Sequence, residues 1–218
     1  VQTNLTASID SKRVVVVRGR ALKRDGSALA GASVTILNHP EFGETFSRAN
    51  GEFDLLANGG ETFVLNVARV GYLRTQRQVV TPWNDFVVVS DIALTPLDSA
   101  SSIVTLSAVG AGYALVTANA CTDASGTRTA RLMFQPGTTA LLKMPDASTQ
   151  PIDTMTVRAT EMTTGPDGES AMPANLPPTS AYTYAIEYSV DQAIAVGAET
   201  VLFSQPVDTA RSSSSSSS

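Results

Sequence analysis

The sequence predicts an all-β protein, a small β-sandwich in the first half followed by a second β-rich domain. Runs rich in Val, Thr, Ile, Tyr and Phe recur along the whole chain at a spacing of about ten residues, as short strands do. Asp-Gly, Asn-Gly, Gly-Gly, Pro-Gly and Asn-Asp pairs punctuate them, and each pair favours a turn by backbone conformation or local hydrogen bonding. No stretch shows the apolar spacing of a long amphipathic helix.

Taken in order, Val16–Ala21 is the first strand, and residues 23–32 form a turn that hands on to a strand over Ser33–Leu37. Residues 47–55 read as a hairpin around Asn50-Gly51. Glu52–Leu55 and Thr62–Val67 alternate polar and apolar, the pattern of strands with one wet face. Val67–Tyr72 closes the second of these, and Thr75–Val80 and Asp85–Leu94 supply two more strands. The polar break Leu97–Ser102 marks a domain boundary. Beyond it, strands are expected over Ile103–Leu106, Tyr113–Thr117, Arg128–Phe134, Thr139–Met144, Met155–Glu161, Tyr182–Val190 and Glu199–Gln205. Residues 163–181 read as a long Pro- and Gly-containing loop, and Asp191 starts one short helical turn. The organisation is thus an N-terminal extension over 1–13, a sandwich over 14–97, a second β-rich domain over 103–207 and a Ser-rich tail over 208–218. The serine run is read as linker or placeholder, not as fold.

Composition narrows the function classes. Among 218 residues, 43% are hydrophobic and 16% charged, which is ordinary for a folded chain and far from the disordered corner. Residues 1–99 hold ten basic and ten acidic side chains and residues 100–218 five and ten, so the net charge of −5 sits in the second half. No basic patch suited to nucleic acid is visible. No apolar run reaches the roughly 18 residues that a spanning helix needs. The chain starts at Val1 with no signal peptide, which reads as a processed or trimmed fragment.

Chemistry-bearing residues are sparse. Cys121 is the one cysteine, read as a half-buried small residue, and His39 the one histidine, so neither a disulfide nor a Cys–His pair is expected. Asn38-His39-Pro40-Glu41 offers too few ligands for zinc and reads as an Asn-started, Pro-fixed turn. Asp167 and Glu169 lie in an Asp-Gly turn that resembles half of a calcium loop without the full acidic spacing. Lys12 and Asn84 are the one pair that would suit an internal isopeptide bond, but neither has the apolar flanking of a buried cross-link. Asn4-Leu5-Thr6 fits a glycosylation sequon, read as coincidence. Trp83, the single tryptophan, reads as a core plug with a sugar platform as the alternative. Tyr182, Tyr184 and Tyr188 share one strand face, as a packed stripe or a partner interface. No catalytic, cofactor-binding or metal residues are assigned, no cofactor is expected, and the chain is read as a non-enzyme.

Gly19, Asp25-Gly26, Leu29, Gly31-Ala32, Val34, Asn50-Gly51, Phe53 and Gly71-Tyr72 fall in the places of a pattern that resembles the carboxypeptidase-regulatory-like, or transthyretin-like, family. Ala28 and Ala21 depart from it, standing where proline and a β-branched residue are usual. Residues 37–45, with 53–60 and Pro82-Trp83-Asn84, look like the transthyretin-like domain of teneurins and of bacterial teneurin-like proteins with tyrosine-aspartate (RHS/YD) repeats. Residues 158–161, 176–180 and 182–187 look like the region that follows it in the bacterial proteins, so the resemblance covers roughly 14 to 207. It implies a transthyretin-like (Ig-like) sandwich in a secreted or cell-surface bacterial protein, whose second domain plugs a YD-repeat shell of the same polypeptide. Two rival readings stand beside it. In one, the chain is a self-assembling subunit of an extracellular filament or oligomer, with copies of itself as partners. In the other, it is a carbohydrate-binding accessory domain of a secreted enzyme.

Overall fold

A computed structural model describes residues 1–106, 112–123, 126–162, 172, 174 and 185–214, with the backbone alone for 123 and 211–214. The chain forms two compact units, the first comprising Val1–Pro96 with Pro166–Tyr182, the second Leu97–Gly165 with Thr183–Ser218. The architecture is all-β, with several sheets and little helix.

The first unit is a sandwich of two sheets. β1 (Val14–Lys23), β4 (Glu52–Asn58), β7 (Asp85–Val88) and β8 (Ile92–Leu94) make one sheet. β4 pairs antiparallel to β1, while β7 and β8 run parallel to it, one beyond the other along the same edge. The second sheet has the order β3 (Glu44–Phe46), β2 (Ser33–Ile36), β5 (Thr62–Ala68), β6 (Thr75–Val80), all antiparallel. Alternation decides what is buried: Val15 and Val17, Phe53, Leu55 and Ala57, and Phe63, Leu65 and Val67 all turn inward and form one core. Burying each of the Val, Leu and Phe side chains among them contributes about 1.5–3 kcal/mol.

Several expectations change here. The Asn50-Gly51 hairpin turn exists, the Gly51 N–H donating to the Arg48 carbonyl at 2.9 Å and the Arg48 N–H to the Glu52 carbonyl at 2.8 Å, but it does not continue into a two-stranded ladder. Its flanking strands β3 and β4 belong to opposite sheets, so beyond the turn the two arms part. The strand expected over Asp85–Leu94 is broken into β7 and β8 around Ser90-Asp91. β5 ends at Ala68, and residues 69–72 form a turn closed by the Tyr72 N–H on the Arg69 carbonyl at 3.0 Å. The extension over 1–13 is tied down. Thr3 and Glu44 exchange backbone hydrogen bonds at 2.8 and 3.0 Å. The Gln2 side-chain amide accepts from the Leu56 N–H at 2.7 Å and donates to the Leu56 carbonyl at 3.0 Å.

Among the described residues, the second unit holds three small sheets: β9 (Ser102–Thr105), β15 (Thr154–Glu161) and β16 (Ile186–Val190); β10 (Ala114–Thr117), β11 (Cys121–Asp123), β12 (Gly126–Phe134) and β18 (Asp208–Ser214); and β13 (Ala140–Lys143), β14 (Thr149–Ile152) and β17 (Thr200–Phe203). Its core gathers Val104, Val116, Leu132, Phe134, Leu142, Met155 and Val157. The short helix α1 (Asp191–Val196) ends at Gly197, whose φ of 70° is the left-handed conformation that glycine tolerates. The tail expected over 208–218 is corrected: as far as Ser214 its backbone is strand β18, paired with Thr127–Met133 of β12. Serine is a poor strand former, so the alternation that would have announced this strand is absent from its sequence.

Candidate interaction surface

Three local structures stand out on the first unit, and two of them carry His39 and Trp83. Around His39, Pro40–Phe42 form a single 3-10 turn, entered through Asn38 at a φ of 62°. His39 Nδ1 lies 2.9 Å from Glu41 Oε1, and its ring meets the buried Phe63 edge-on at 5.2 Å. The hydrogen bond to His39 lowers the Glu41 pKa. A shallow pocket of about 350 Å³ borders this turn, lined by Asn4, Ile36, Asn38, Pro40 and Glu44.

The second structure joins Gly59-Gly60 to Pro82-Trp83. A Cβ on Gly59 would strike the Pro82 carbonyl, and one on Gly60, at a φ of +97°, would strike the Trp83 indole nitrogen. The Asn-Gly-Gly sequence is therefore a close-approach device: only residues without a Cβ let the β4–β5 turn meet the segment entering β7. Arg13 completes it, donating to the Gly59 carbonyl at 3.2 and 3.1 Å, pairing with Glu61 at 3.3 Å and standing 6.0 Å over the Trp83 ring. Trp83 is not a core plug: it is 65% exposed. A tryptophan after proline at a strand entrance carries no sequence mark of which way it turns, and tertiary packing turned this one out.

The third is the outer face of β7, where Phe86 is 61% and Val88 64% exposed, while Val87 and Val89 pack against the core. Next to it on the same face stand the half-buried Val16 and, across β1, Leu56. Large apolar side chains gathered on one exposed strand face make an apolar patch, the kind of surface that partner contacts use. Nothing in the β7 sequence separates its outward residues from its inward ones, because all of Phe86–Val89 are apolar.

In the second unit, Arg158 grips Asp191 with two hydrogen bonds of 2.8 Å and donates to the Asp98 carbonyl at 2.7 Å. The hydrogen bond with Asp191 raises the Arg158 pKa. The bond also fixes the start of α1 against β15. Leu132, Phe134, Tyr188, Phe203 and Val207 border an apolar cavity of about 430 Å³. Burial raises the pKa of both Tyr188 and its neighbour Glu187. Tyr182 and Tyr184 lie outside the described residues, as do Asp167 and Glu169. Cys121 is half-buried in β11, and Lys12, Asn84 and Asn4 are exposed on the first unit. Among the described residues, no group of three His, Cys, Asp or Glu side chains converges on a possible metal position. No helix among them is long and apolar enough to cross a membrane.

Residues 9–94 match the family model of the Teneurin TTR-like domain. Teneurin-1 of Mus musculus is 41% identical over 87 residues, covering 40% of this chain and 3% of that protein. Teneurin-m of Drosophila melanogaster is 32% identical over 88 residues, again 40% of this chain and 3% of the relative. The chain thus spans only 3% of the length of these curated relatives. Among solved structures, a chain of a type II cohesin-X-dockerin complex from Acetivibrio cellulolyticus overlays 38% of this chain and 59% of its own. It does so at 18% identity and a TM-score of 0.33. The matched range spans the His39 turn, the Gly59-Gly60 joint with Trp83 and the outer face of β7, so over residues 9–94 this chain is similar to the Teneurin TTR-like domain.

Proposed function

We propose that this chain is a non-enzymatic, extracellular protein–protein interaction module. It works inside a larger secreted or cell-surface polypeptide of the teneurin-like kind, where the second unit plugs one end of a shell of tyrosine-aspartate repeats. The observation that carries this reading is the match of residues 9–94 to the Teneurin TTR-like domain. Exposed Trp83, Phe86 and Val88 support it, because an apolar surface of this kind gains most when a partner covers it. The apolar cavity beside Tyr188 and Phe203 is a second place where a partner's side chains find a dry socket.

The test begins with the parent gene, where tyrosine-aspartate repeats are expected downstream of residue 218. That shell, coexpressed with this chain as a separate polypeptide, is expected to copurify with it, and Phe203→Asp is expected to abolish the complex. A gene without such repeats, or a shell that ignores the chain, sinks the plug reading.

A further inference from the structure

The first unit guards the edges of its sheets unevenly. On β3, Glu44 has its backbone groups taken by Thr3. On β4, the Gln2 amide takes both backbone groups of Leu56, as a neighbouring strand would. On β6, the half-buried Arg77 side chain donates to the Met172 carbonyl at 2.9 Å. β7 differs. Among the described residues it pairs on one side only, with β1. The Val89 N–H donates to the Arg18 carbonyl at 2.8 Å, so by the alternation of a strand Asp85 and Val87 also face β1. Phe86 and Val88 then turn their backbone groups to the open edge. The Phe86 N–H is held there by the adjacent Asp85 carboxylate at 2.7 Å, a local substitute for a ladder partner. Strand edges are usually blunted by lysine, proline or a bulge, and β7 with the following Val89 has none of these.

We propose that β7 is the contact of a two-fold dimer, in which a second copy of this chain adds its own β7 antiparallel to it. The segment is its own complement. With Val87 on the two-fold axis, Phe86 lies opposite the second copy's Val88 and Asp85 opposite its Val89, so every central pair contains an apolar side chain. Residues 86 and 88, the ones whose backbone groups face the edge, exchange the ladder hydrogen bonds. A register centred on Val88 instead sets Phe86 opposite Ser90, beyond the end of β7, and so loses an apolar pair. Two sheets of order β4-β1-β7 thereby become one continuous sheet across the axis, and the exposed Phe86 and Val88 cover each other. This inference does not depend on a repeat shell.

Sedimentation of the whole chain, from low to several hundred micromolar, is expected to show a monomer–dimer equilibrium. Phe86→Lys or Val88→Lys is expected to weaken the dimer by at least about tenfold, with the circular dichroism spectrum and melting temperature unchanged because both positions are exposed. In a Cys121→Ser background, Val87→Cys is expected to cross-link two copies under mild oxidation, while Phe86→Cys does not. A chain that stays monomeric throughout overturns the proposal. So does a dimer indifferent to both lysines, or cross-linking through residue 86 in place of 87.

Discussion

Gly60 shows at the scale of one residue how this fold uses what a side chain would forbid. Its φ of +97° and the Trp83 indole over its α-carbon leave no room for a methyl group. Gly60→Ala is expected to destabilise the first unit by about 1–3 kcal/mol and to shift the emission of the single tryptophan, read by denaturant unfolding followed by fluorescence. Asp54 and Glu187 act oppositely with pH. Burial pushes the Asp54 carboxyl up, but hydrogen bonds from Arg18 and Arg48 outweigh it and hold the pKa below the usual range. Its contribution is therefore present above the unfolded value of about 4 and is lost as pH falls through the lower folded value. Asp54→Asn is expected to lower stability at neutral pH by up to about 1 kcal/mol and to flatten the loss on acidification, as melting curves against pH will show. For Glu187, burial alone raises the pKa, so the folded state favours the protonated form. Stability then falls as pH rises from the unfolded value through the raised one, and Glu187→Gln is expected to raise the melting temperature at neutral pH.

Strands with a clean polar–apolar alternation, such as β4 and β5, were legible from the sequence because one face is wet and the other dry. Those lacking it were not. β14 contains Pro151, which cannot donate to a ladder, and sits at a sheet edge where that donor is not needed. β18 is half serine and gains its order from β12 rather than from its own side chains. Truncation after Val207 is expected to expose the β12 edge and lower the melting temperature of the second unit. Unchanged melting would mean that β18 contributes nothing to it. The Asn50-Gly51 segment shows the converse failure: turn chemistry is local and was readable, whereas the sheet each arm joins depends on partners far away in sequence.

Each of the two units of the whole molecule has its own buried cluster, built on Phe53 and Phe63 in the first and on Phe134 and Met155 in the second. Calorimetry is expected to resolve two transitions, and Phe53→Ala is expected to lower one of them by about 3–5 kcal/mol while sparing the other. A single transition shifted as a whole would show that the units unfold together. By itself the sequence determined the all-β class, most strand positions and the glycine-bearing turns, since periodicity and backbone preference are properties of neighbours along the chain. Only the tertiary structure decided that Trp83 faces outward, that β3 and β4 lie in different sheets, that Gln2 and Thr3 take up edge hydrogen bonds of the first unit, and that β7 pairs on one side only among the described residues. These follow from which surfaces meet across the core, and no local pattern of residues encodes that.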